Sequence, residues 1–96
     1  MLQISTIRDA ASRTAQKHGL AKVTLFGSYA RGDADDTSDV DLVIETSAPL
    51  GFARGAIYNE LEQELGCPVD LIFCASNLYP FVREAYDREG VTLYEA

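Results

Sequence analysis

The chain carries only two cysteines, Cys67 and Cys74, and a single histidine, His18. A structural zinc site takes four Cys or His ligands, and three separated candidates without a C-x-x-C pair do not supply them. Both thiols read as reduced cysteines of a cytoplasmic protein. Basic residues are also scarce: eight Lys and Arg face fifteen Asp and Glu, for a net charge of −7. They are scattered, with no basic run. Gripping a nucleic-acid backbone depends on clustered cations that displace counterions, so nucleic acid is not expected as a direct partner. No apolar run approaches the ~20 residues that span a bilayer. The N-terminus lacks the basic-then-apolar pattern of a signal peptide.

What is present is one modest core. Apolar residues make up 47% of the 96 residues, which suits a single domain over residues 1–96. Ile4, Ile7, Ala11, Ala15 and His18 recur at steps of three and four, predicting a helix over 4–18 that Gly19 stops. Residues 22–26 read as a strand ended by Gly27, then a helical turn over 28–31, a polar loop over 32–38 and a second strand over 39–45. In that strand Val40, Leu42 and Ile44 share one face, and Asp39, Asp41 and Val43 the other. A helix over 52–65 carries Ala53, Ile57, Leu61 and Leu65 in an i, i+4 stripe, with Gly66 and Pro68 beyond its end. A third strand over 69–74, a last helix over 78–89 and a short edge strand over 91–94 complete the order.

The connection through Gly27 and Ser28 is too short for a parallel crossover, so the first two strands are expected to be antiparallel. The second and third, joined through a helix, are expected to be parallel. The fold class is α/β (α+β): a small mixed sheet of about four strands with helices packed on one side.

Residues 27–43 hold the chemistry. A Gly27-Ser28 turn offers backbone amides to a phosphate, and Asp39 and Asp41, spaced i, i+2, project from one strand face about 6.5–7 Å apart. Asp70 lies among Val69, Leu71, Ile72 and Phe73, where an unpaired acid is costly. If its strand neighbours the second, it joins a cluster of three carboxylates. Three such acids repel one another unless a cation sits among them, and all-oxygen ligands select Mg²⁺ or Mn²⁺ over zinc.

Spacing removes two rival motifs. A phosphate loop of the G-x-x-x-x-G-K-[ST] type starting at Gly27 would have Asp33 and Ala34 in place of its Lys and Ser/Thr. A calcium loop starting at Asp33 would have Ser38 at its glycine position and Ile44 at its closing glutamate. Arg31 stays open between a contact to phosphate or the acids and a salt bridge shaping the turn, to Asp33 or Asp39. Asp33, Asp35 and Asp36 read as a solvated loop, and His18 as a helix-end residue interacting with the terminal carbonyls.

Gly27-Ser28-x-Ala30-Arg31-Gly32, then Ser38-Asp39-x-Asp41-Leu42, then Asp70 between hydrophobic residues, together resemble the minimal nucleotidyltransferase (MNT) group of the DNA polymerase β-like nucleotidyltransferase superfamily. The resemblance extends over nearly the whole chain, because element order and length fit as well. It implies the nucleotidyltransferase fold and a transfer of AMP from ATP assisted by two Mg²⁺ ions, with Mn²⁺ as a substitute. By the same resemblance Gly27 and Ser28 would hold the β- and γ-phosphates, and Arg31 stands beside them as a candidate nucleotide-binding residue whose role stays open. Asp39 and Asp41 ligate both ions. Asp70 ligates the catalytic ion and helps deprotonate the acceptor hydroxyl.

Larger nucleotidyltransferases add domains that bind the acceptor, and this length leaves no room for one, so another molecule is expected to bring it. Proteins similar to this one commonly act as antitoxins of a HEPN-domain ribonuclease, which implies AMP transfer to a tyrosine hydroxyl of that toxin. An acidic chain complements a basic RNA-cutting partner. The rival reading is a vestigial site on a module that blocks the toxin sterically. The intact acids and Gly-Ser turn favour the enzyme. Tyr79, Phe81, Val82 and Tyr86 on the last helix serve either a partner interface or the core.

Overall fold

The computed structural model describes residues 2–74 and 78–96. Eight elements follow one another: α1 (Ile4–His18), β1 (Lys22–Phe26), α2 (Ser28–Arg31), β2 (Val40–Glu45), α3 (Ala53–Leu65), β3 (Val69–Phe73), α4 (Pro80–Glu89) and β4 (Val91–Glu95). The strands form one sheet in the order β3-β2-β1-β4. β1 runs antiparallel to both β2 and β4, and β2 runs parallel to β3. The expected directions of the first three strands hold, because the turn after β1 reverses the chain while α3 carries it back to start β3 alongside β2.

The main core lies between the sheet and α1 plus α3. Ile7, Ala11 and Ala15 of α1 and Ile57, Leu61 and Leu65 of α3 meet Val23, Leu25, Val40, Leu42 and Ile44 of the strands, all buried. Leu25, Leu42 and Ile57 have no exposed surface at all. The apolar stripes read from the sequence are thus the buried faces. Across the top of the two helices, Arg13 pairs with Glu64 at 2.6 Å, and Glu60 accepts from both Lys17 and His18. His18 therefore does sit at the helix end, but its partner is the Glu60 carboxylate, at 2.8 Å, in place of the terminal carbonyls.

One helix departs from the expected single layer. α4 lies on the opposite face of the sheet, where Tyr86 packs with Val43 and with the partly buried Phe26 and Ile72. Tyr86 stacks edge-on against Phe26, with ring centroids 6.3 Å apart, and its hydroxyl donates to Thr24 Oγ1 at 3.4 Å. The cause is Val43, an apolar side chain on the same face as the acids, which needs a cover. Of the aromatic residues on this segment, Tyr86 joins the core, whereas Tyr79 and Phe81 stack on each other and stay largely exposed. α3 also closes the outer edge of the sheet, since Tyr58 Oη takes the amide of Leu71 at 3.2 Å. No helix among the described residues is long and apolar enough to cross a membrane.

Candidate active site

β1 delivers the chain to Gly27, which adopts φ 77°, ψ −154°, a region that side chains other than hydrogen avoid. A second constraint is tighter. A Cβ added to Gly27 would lie 3.2 Å from the Asp41 carboxyl carbon and closer still to its Oδ2. Glycine is therefore required twice, by backbone conformation and by the close approach of Asp41. The chain then makes the single turn α2, whose first amides have no partner within the helix. Gly32 closes it in the left-handed conformation, and the amides of Gly32 and Asp33 both donate to the Ser28 carbonyl.

The loop that follows is not merely solvated. Asp35 Oδ1 accepts from the Thr37 amide at 2.9 Å, the Thr37 hydroxyl at 2.7 Å and the Ser38 hydroxyl at 3.3 Å. Ser38 Oγ in turn accepts from the Asp35 amide at 2.9 Å. This side-chain-to-backbone knot fixes the approach to Asp39, one residue before β2. An Asp-x-Thr-Ser run carries that signal in the sequence.

Sheet register brings the distant acid in. Asp41 stands directly across from Asp70 on β3 and from Phe26 on β1. The sheet thus places Asp70, Asp41 and the Phe26-Gly27 junction side by side, each step one strand spacing of about 4.8 Å. Asp39 and Asp70 are exposed and Asp41 is half-buried. Burial first, then the charges of Asp70 and Asp39, push the Asp41 carboxyl up to about 6, while Arg31 draws it down. The same Asp39 charge reaches Cys67, whose thiol is held above its ordinary value mainly by burial.

All six residues singled out in the sequence thus lie at one end of the β1–β2–β3 sheet or on the turn beside it. Their carboxylates are neighbours, but among the described residues no three His, Cys, Asp or Glu side chains are gathered into a metal-binding group. Of the roles left open for Arg31, the salt bridge that shapes the turn is formed, with Nε donating to Asp33 Oδ2 at 3.2 Å. A second bond, from Nη1 to Glu89 Oε2 at 3.4 Å, had no signal in the sequence, because 58 positions separate the two residues.

With this geometry in view, comparison with known proteins is specific. The nucleotidyltransferase domain family model matches residues 4–89. A Methanocaldococcus jannaschii protein provisionally named a protein adenylyltransferase is 33% identical over 93 residues, spanning 94% of this chain and 97% of its own. A solved structure provisionally identified as a minimal nucleotidyltransferase superposes with a TM-score of 0.76 at 31% identity, over 94% of this chain and 95% of the other. A chain from the complex of a tri-AMPylated Shewanella oneidensis HEPN toxin with an MNT antitoxin shares the fold, with a TM-score of 0.70 at 19% identity, over 99% of this chain and 74% of its own.

Proposed function

The chain belongs to the nucleotidyltransferase domain family, and from that premise we propose that it transfers AMP from ATP to a hydroxyl of a partner protein. The partner is a HEPN-type ribonuclease toxin, the hydroxyl is that of a tyrosine, and the modification makes this chain its antitoxin. One observation carries the reading: Asp41, half-buried, sits between Asp70 in direct register and a glycine that must be glycine to admit it. A structural ion pair would bring a cation to Asp41. Across the strands Asp41 faces Asp70 and Phe26, its carboxylate lies against the bare Gly27 backbone, and the Arg31 guanidinium that acts on it is bonded to Asp33 and Glu89 instead.

The donor set fits a hard divalent cation. Asp39, Asp41 and Asp70 offer oxygen alone, and their mutual repulsion, felt most by Asp41, is relieved by Mg²⁺ or Mn²⁺. Asp39 and Asp41 would hold both ions and Asp70 one. Bound there, the ions supply charge neutralisation at the attacking and leaving oxygens of an in-line displacement.

The chain's own residues do the rest. The bare Gly27 and the opening amides of α2 leave room and donors for the terminal phosphates of ATP, with Ser28 at the same turn. Arg31 adds a fixed positive charge on that side. Asp70, exposed at the outer strand, takes the proton of the incoming hydroxyl. The hydroxyl oxygen bonds to the α-phosphorus, the bond from that phosphorus to the bridging oxygen breaks, and pyrophosphate leaves. Catalysis is mainly positioning and charge neutralisation. The relative named as a protein adenylyltransferase and the fold shared with an antitoxin of an AMPylated toxin support the choice of acceptor.

ATP labelled at the α-phosphate is expected to leave its label on the partner, and ATP labelled at the γ-phosphate to leave none. Equal labelling from both would mean transfer of a different group. A chain whose Asp39→Asn/Asp41→Asn variant protects cells from the toxin as well as the wild type does would be a steric inhibitor instead.

A further inference from the structure

We propose that Glu89, the last residue of α4, is a positioning residue for nucleotide binding that acts by fixing the Arg31 guanidinium at the end of the Gly27–Arg31 turn. The inference rests on the reading of that turn as a nucleotide site. Arg31 is the final residue of a one-turn helix, 43% exposed, and a long side chain at such a place is free to sample many rotamers. Two carboxylates hold it, on different edges of the guanidinium: Asp33 on Nε at 3.2 Å and Glu89 on Nη1 at 3.4 Å.

The two are not equivalent. Asp33 lies two residues away on the polar loop, is 61% exposed and belongs to the same turn as Arg31. It gives Arg31 no reference to the rest of the fold. Glu89 is 22% exposed and comes from the other end of the sequence. Its backbone is held on both sides. Tyr86, one turn back, is buried against Val43 and Phe26 and bonds Thr24 of β1. Gly90, next in the chain, donates to the Tyr86 carbonyl at 2.9 Å, and a Cβ there would meet that oxygen at 2.6 Å. Val91 then pairs with Leu25, one residue before Phe26. The other Glu89 oxygen accepts from Arg88 at 3.4 Å, so its charge is balanced from two sides. Glu89 is thus a carboxylate mounted on packed elements and bonded to a guanidinium whose own backbone stands on a single helical turn. Ordering Arg31 before ATP arrives reduces what binding must spend on that ordering.

The test is a double-mutant cycle on the full chain, with ATP, Mg²⁺ and the partner. Glu89→Ala is expected to raise the KM for ATP about two- to fivefold, the range of one partly exposed ion pair, with kcat unchanged within twofold. Glu89→Gln, which keeps an acceptor oxygen, should fall between the two. Arg31→Ala/Glu89→Ala should be no worse than Arg31→Ala alone, because Glu89 acts through Arg31. Additive losses, or a loss that follows the thermal midpoint of each variant, would make Glu89 structural and overturn the proposal. If the wild type transfers AMP and Glu89→Ala matches it in KM, Glu89 has no positioning role and the proposed function stands. If the wild type binds ATP without transferring AMP, the function falls, and the Kd for ATP in the same four chains decides Glu89. A chain that binds no ATP overturns both.

Discussion

Asp41→Asn is expected to yield a chain that is more stable than the wild type at neutral pH and unable to transfer AMP. The carboxyl has an ordinary value of 3.8 and is pushed up to about 6 by burial and by Asp70 and Asp39. The folded chain therefore holds this proton more tightly than the unfolded chain does. Its contribution to stability is full below about pH 4 and is lost as the pH rises from about 4 to about 6. At pH 7 the ionised Asp41 is a burden on the fold. Taken at full weight, the difference amounts to about 3 kcal/mol. Asp41 is only half-buried and its two acidic neighbours are exposed, so screening by water brings it to about 1 kcal/mol. For a domain of this size that is a rise of about 4–8 °C in Tm. Urea or thermal unfolding of both chains at pH 4, 5, 6 and 7.5 checks it. The gap should open between pH 4 and 6 and stay level above. Mg²⁺ at pH 7.5 should raise the wild type and leave Asp41→Asn nearly unmoved. A variant that is less stable at pH 7.5, or a gap that does not change with pH, would show that Asp41 is not the strained acid described here.

Gly27→Ala, strained at φ 77° and pressed against Asp41, should cost about 1–3 kcal/mol in unfolding experiments and abolish transfer. Asp70→Asn should slow transfer at least about a hundredfold at saturating ATP, by kinetics on the partner, while Tm changes little because the residue is exposed. Asp35→Ala removes the acceptor for Thr37 and Ser38, and should lower the thermal midpoint slightly and loosen Asp39, seen as weaker Mg²⁺ binding by calorimetry.

The parts of this fold legible in the sequence are those set by local pattern and by connection length. The i, i+4 stripe of α3 and the glycine after each of α1 and α3 mark helices, because each signal lies within one turn of its consequence. The neighbouring positions of Asp41 and Asp70 were legible only in part: a helix between two strands makes them parallel, but their adjacency stood as a condition, and the register that pairs the two acids comes from the folded sheet. The side on which α4 packs was not legible. Tyr86, Phe81 and Val82 mark an apolar helix face, but periodicity does not say which face of the sheet receives it. That depended on Val43, a single residue among the acids. The Glu89–Arg31 bond was out of reach for another reason, since it joins residues that only the completed sheet brings together. The Asp35 knot was legible in principle, and was hidden by the other acids around it.

If the acids beside Gly27 serve AMP transfer to a partner protein, the intact mass of that partner must change. After incubation with the wild-type chain, ATP and Mg²⁺, the partner should gain one or more adenylyl groups, and it should gain none with Asp41→Asn. A partner that is bound and silenced by both chains, with its mass unchanged, would make the chain a steric inhibitor and rule out AMP transfer as its means of neutralisation.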